Sequence, residues 1–180
     1  MSVHNIDQRL KQVSAELAQM AASVDPAQLD ALAEAINQAP RVFFSGQGRS
    51  GLMIKAIAVR LMHIGLTVYV AGESNTPAIG NNDLLIAVSS SAKTQTTLMH
   101  IAAARKASAQ ITLISSGPAA DIAADLTLYL PARKQVATDQ HAGSLFEQSL
   151  LITGDAIAWR IQRLRGMSDS DLDNRHANLQ

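Results

Sequence analysis

Short, almost unbroken apolar runs, each followed by residues of helical periodicity, constrain this chain more than any other feature. They are Val42-Phe43-Phe44, Leu84-Leu85-Ile86-Ala87-Val88, Ile111-Thr112-Leu113-Ile114 and Leu126 to Leu130, with Thr67-Val68-Tyr69-Val70 as a less apolar fifth. A strand without polar alternation is buried on both faces, so helices must cover the sheet on both sides, and such sheets are parallel. Right-handed crossovers then predict a doubly wound α/β domain: three layers, with five parallel strands in a flavodoxin-like order.

The intervening segments fit that plan. Leu52 to Ile64 reads as a helix rich in Ala, Leu and Met, and another follows the third strand to about Ala107. A short helix is expected around Ala119 to Ala124, and a long one from Ser144 to Leu164. Two helices precede the sheet. Ile6, Leu10, Val13, Leu17 and Met20 recur at helical spacing in the first, and Asp25 caps a second that starts at Pro26 and closes at Pro40. The 180 residues suit one domain spanning 1–180, with N-terminal helices over 1–40, an α/β core over 41–165 and a polar tail over 168–180. The tail is either unstructured or docked.

Bulk composition narrows the functional classes. Only 3% of residues are aromatic against 47% hydrophobic, so the core is built from Ala, Ile, Leu and Val. Fifteen Lys plus Arg balance 15 Asp plus Glu, which removes the electrostatic reason to expect nucleic acid or an anionic membrane. No apolar run approaches the ~20 residues of a membrane span, and Met1 to Asp7 lacks the pattern of a secretion signal. With no cysteine, disulfides and thiolate metal sites are excluded, and a cytoplasmic location is expected. No clustered histidine or carboxylate pattern suggests a metal.

Two loops at the carboxyl ends of strands carry the chemistry. Gly46-Gln47-Gly48-Arg49-Ser50-Gly51 fits G-x-G-x-x-G between a strand and a helix. It reads as a phosphate-binding turn, a dinucleotide turn with Glu73 as the ribose acid, or simply a tight turn. Ser89-Ser90-Ser91-Ala92-Lys93-Thr94 follows the most hydrophobic strand and opens a helix. One serine there is an ordinary cap, but this set of hydroxyls exceeds what capping needs and suits the many acceptors of a phosphate monoester. With this loop present and no second dinucleotide-binding half, a nicotinamide cofactor is disfavoured. Ser144 and Glu147 have the spacing of a capping box. His63 lies near a helix end, where it can meet helix carbonyls, and His176 lies in the polar tail, where a solvated side chain is the default.

Together these segments resemble the sugar isomerase (SIS) family, and within it the 6-phospho-3-hexuloisomerase branch. The resemblance rests on Gly48-Arg49-Ser50-Gly51, Arg60-Leu61-Met62-His63-Ile64-Gly65, Thr76-Pro77-Ala78-Ile79, the Ser89–Thr94 loop, Gly143-Ser144-Leu145-Phe146-Glu147 and Arg175-His176-Ala177-Asn178-Leu179-Gln180. It covers the chain from about Arg41 onward. It implies conversion of 3-hexulose 6-phosphate to fructose 6-phosphate in the ribulose monophosphate pathway, without metal or redox cofactor. Glu147 is the implied base, and His63 and His176 are the implied proton carriers. Gly48, Arg49, Ser50, Ser89, Ser90, Ser91 and Thr94 are implied to bind the sugar phosphate. A homo-oligomer, tetramer or dimer, is also implied, with His176 acting in its own or a neighbouring subunit. The serine loop departs from the family pattern Ser-Gly-Ser-Gly-Glu-Thr at Ser90, Ala92 and Lys93, and the tail departs at Gln180.

Overall fold

A computed structural model describes residues 5–179. Gln180 lies outside them. Five strands, β1 (Val42–Ser45), β2 (Val68–Val70), β3 (Leu84–Val88), β4 (Gln110–Ser115) and β5 (Leu126–Tyr129), form one parallel sheet in the order β2-β1-β3-β4-β5. Every pairing is parallel, with Val42 level with both Val68 and Leu84, and Leu84 level with Gln110. This is the expected order, and strands β1 and β3 flank its reversal point.

The apolar strands are apolar because both faces are covered, though unequally. Val42, Phe44, Leu84, Ile86 and Val88 point into the larger core. That core is closed by α1 (Ile6–Ser23), α2 (Pro26–Gln38), α3 (Gly48–His63) and α5 (Ser144–Leu164). Phe43, Leu85, Ala87, Ile111 and Leu113 point the other way, under α4 (Gln95–Lys106) with its Ile101 and Ala104.

Several expectations need correction. Gly48 to Gly51 is the first turn of α3, so the glycine loop is shorter than its motif. No helix forms at Ala119–Ala124: Pro118 breaks the approach, and only Ile122 offers a large apolar side chain, too little for a buried helical stripe. Irregular turns carry this crossover, and Asp125 closes it by accepting from the Ile111 amide at 2.7 Å. In α1, Met20 and Leu17 pack as expected, but Ile6 and Leu10 are exposed and Glu16 is buried instead.

The polar tail is docked. Helix α6 (Asp169–Asp173) begins with a capping box in which Ser168 and Asp171 bond reciprocally. Donation from Ser168 holds the Asp171 carboxyl below its ordinary pKa. Gly65, at φ +87°, ends α3 and lets the Arg175 guanidinium lie where a Cβ would come within 3.2 Å of it.

Candidate active site

Three helices, α3, α4 and α5, begin around the carboxyl edge of the sheet, and none has a side chain capping its first turn. The other three helices among the described residues are all capped, by Asn5, Asp25 and Ser168. Bare N-termini leave amide donors and the positive end of each helix dipole open to an anion. The contrast places the candidate site at this mouth.

The serine turn forms one wall. Ser89 is buried, and its hydroxyl lies 2.9 Å from that of Thr94. Ser90 reaches across to the Ser116 hydroxyl at the end of β4, 2.7 Å away. The Ser91 hydroxyl accepts from the Lys93 amide at 3.2 Å. Simple N-capping is therefore not what these hydroxyls do. Ala92, where the family pattern has glycine, holds a left-handed φ of 56°.

The glycine turn forms the wall opposite. Gly46 and Gly51 approach so closely that a Cβ on Gly51 would sit 2.9 Å from the Gly46 carbonyl oxygen. Gly48 has a φ of +57° and open space beside it. This turn projects Arg49, whose guanidinium donates to the Glu147 carboxylate across the mouth. Glu147 does not form the capping box that its spacing suggests: Ser144 bonds the His141 carbonyl at 2.8 Å, and the carboxylate turns to Arg49. The side chain of Glu147 is 12% exposed, open enough to meet a ligand and fixed enough to be aimed.

The two histidines lie elsewhere. His63 ends α3, so it stands about 21 Å along the helix axis from Arg49, at a rise of 1.5 Å per residue. Its ring is buried and stacks on His176 with centroids 4.8 Å apart. Burial first, then the neighbouring His176 and Arg60, lower its pKa, which favours the neutral ring. Its Nε2 is buried without a hydrogen-bond partner among the described residues. One chain thus brings Gly48, Arg49, Ser50, Glu147 and the serine turn to one end of the sheet, and His63 with His176 to the other. Within one chain the implied base and the implied proton carriers therefore lie at opposite ends of α3.

Two features escaped sequence reading. His100, on α4 a little beyond the serine turn, meets the Ser45 hydroxyl at 2.8 Å beneath the glycine turn. The loop after β5, Pro131 to Val136, borders a pocket of about 680 Å³ that also touches the serine turn. Its signal was position alone, since ligands gather at the carboxyl ends of parallel strands.

The SIS domain pattern matches residues 35–153. A protein of Mycobacterium gastri named 3-hexulose-6-phosphate isomerase is 40% identical over 98% of this chain and 92% of its own. One of the same name from Bacillus subtilis is 34% identical over 92% and 94%. A Methanococcus jannaschii protein, whose crystal structure is described as inferring a molecular function of 3-hexulose-6-phosphate isomerase, superposes with a TM-score of 0.85. It is 30% identical over 96% of this chain and 99% of its own. The chain belongs to the SIS domain family.

Proposed function

We propose that the protein is an isomerase converting 3-hexulose 6-phosphate to fructose 6-phosphate. The observation that carries this is the Glu147 carboxylate, aimed by Arg49 into a mouth of three uncapped helices beside the serine turn. The relatives named for that reaction support it. Glu147 takes the proton from C2, and the electron pair forms a C2=C3 double bond as negative charge gathers on O3. A proton passes from O2 to O3, Glu147 returns its proton to C3, and the carbonyl is left at C2. Helix N-termini and the remaining N–H groups of Arg49 steady the oxyanion. Such phosphorylated sugars are charged and do not cross membranes unaided, which suits a cytoplasmic enzyme of the ribulose monophosphate pathway. Among the described residues no helix is long and apolar enough to cross a membrane. A coupled assay for fructose 6-phosphate tests the reaction, and absence of turnover on 3-hexulose 6-phosphate would sink it.

The proton transfer between oxygens falls to a histidine of a second copy. Leu52 and Val59 on α3, and Ile152 and Trp159 on α5, stand exposed at seven-residue spacing on packed helices. A second copy set antiparallel on this face places its α3 end beside the first copy's α3 start, so His63 and His176 of the partner subunit approach Arg49 and Glu147. A mixing experiment decides it. Glu147→Gln and His63→Gln chains, each inactive alone, should regain about a quarter of wild-type activity when unfolded and reassembled together, because half the dimers are mixed and each holds one intact site. No gain on mixing would mean that the histidine acts within its own chain or not at all.

A further inference from the structure

Helix α1 buries a carboxylate, Glu16, on a face where packing alone would suit leucine better. Asp83, the other buried carboxylate among the described residues, is paired with Arg41, but Glu16 has no such cation. Burying a charged group is costly unless hydrogen bonds replace its water. Every group that meets Glu16 donates to it. The Thr138 hydroxyl at 2.8 Å and Gln140 Nε2 at 2.7 Å bond its Oε2, and Gln12 Nε2 at 3.2 Å bonds its Oε1. Thr138 and Gln140 lie 122 and 124 residues further along the chain, in the loop that leads to Glu147.

Gln140 is the node of that loop, and it is buried. Its backbone amide donates to the Thr138 hydroxyl at 3.0 Å, and its carbonyl accepts from Arg133. Its Nε2 meets Glu16, and its Oε1 accepts from Gln148 Nε2 at 3.0 Å. The direction of this chain of bonds is set at Glu16. A carboxylate only accepts, so Gln140 turns its NH2 to Glu16 and its oxygen to Gln148, which must donate. Gln148 Oε1 is then left buried with no partner among the described residues. An unmet buried acceptor is destabilising, but reversing the amide would set oxygen against the Gln140 oxygen. Gln148 follows Glu147 directly, near the start of α5, which no side chain caps. The link braces that start from the side and leaves its amide donors free.

We infer that Glu16 is a positioning residue for Glu147: through Gln140 and Gln148 it locks the entry of α5 to α1, and so fixes the aim of the Glu147 carboxylate across the mouth. This rests on the isomerase reading for the role of Glu147. It gives a part in turnover to a helix that carries none of the candidate site residues. The ion pair between Arg9 and Asp139 joins the same two segments, but both side chains are exposed, and such pairs hold little. The buried chain of bonds sets the geometry.

Three variants test it. Gln148→Met cuts the link to α5 and leaves the Glu16 carboxylate bonded. Gln140→Glu sets a second carboxylate against Glu16. Glu16→Gln combined with Gln140→Glu reverses the pair, so that position 16 donates, position 140 accepts, and Gln148 keeps its acceptor. The two single variants should lose about tenfold to a hundredfold in kcat, as a reacting group misplaced by about 1 Å does, with fructose 6-phosphate affinity within about threefold. The reversed pair should regain kcat to within about threefold of wild type. Hydrogen–deuterium exchange from Asp139 to Leu150 should rise in the single variants and fall back in the reversed pair. A merely structural role would lower the melting temperature and leave kcat untouched below it. Turnover within about twofold of wild type in Gln148→Met, or a reversed pair that regains thermal stability but not kcat, overturns the assignment. If Gln140→Glu does not fold, Gln148→Met and the reversed pair decide the matter. Exchange needs no turnover, so the two readings fail separately. A wild type that does not isomerise ends the catalytic reading, and unchanged exchange in the single variants ends the brace by itself.

Discussion

Glu147→Gln should lower turnover by a factor of about 10² to 10⁴, the usual contribution of a positioned general base, while fructose 6-phosphate affinity stays within about twofold. Glutamine keeps the length and shape of the side chain, and its amide oxygen can still accept from Arg49, so the mouth is not rearranged. The helix start is not at stake either, since Ser144 bonds the His141 carbonyl and Glu147 caps nothing. Loss of the charge is therefore separable from loss of structure. Thermal unfolding measured beside the kinetics makes the distinction: an unchanged melting temperature with lost turnover supports the base, and turnover near wild type removes it from the mechanism.

The second large effect falls on stability. Helices α3 and α5 cross at Gly154, where a Cβ would lie 2.4 Å from Ile57 Cδ1 and 2.5 Å from Cγ1. Ile57 is itself buried in the main core, so it has little room to turn away. Gly154→Ala should therefore destabilise by about 1–3 kcal/mol, as overpacked cores do. In a domain of this size that lowers Tm by about 2–12 °C. Helix propensity works in the opposite direction, since alanine favours a helix interior by roughly 1 kcal/mol. An unchanged or raised Tm would mean that Ile57 finds another rotamer and that the crossing is not tight. Ile57→Val should then restore part of the loss in Gly154→Ala, because it removes the Cδ1 methyl that comes nearest.

The sheet and its order were legible because an unbroken apolar strand has only one environment to live in. Leu84 to Val88 was readable to the residue, since all five side chains are buried. The crossover at Ala119–Ala124 was not, because alanines favour helix locally while a single large apolar residue gives a helix nothing to bury. The site was half legible. Hydroxyl and glycine turns announce themselves locally, so Gly48, Ser50, Ser89 and Thr94 could be nominated from the chain alone. Glu147 was ambiguous by spacing, and only its meeting with Arg49, 98 residues away in the chain, separates it from a cap. The serine turn and the loop after β5 border one pocket through the order of β3, β4 and β5, and no local pattern records that. His63 and His176 were nominated separately, and neither their stacking nor the end of the sheet they occupy is written in the local sequence: both follow from the direction of α3 and the docking of the tail.

The bare starts of α3, α4 and α5 have a consequence for the free protein. Asn5, Asp25 and Ser168 close their helices permanently, each a bond worth about 1 kcal/mol wherever the protein goes. At the mouth that closure is left to whatever arrives. The part of the fold that recognises its ligand is thus also the part whose own completion is deferred, and occupancy and local order rise together there.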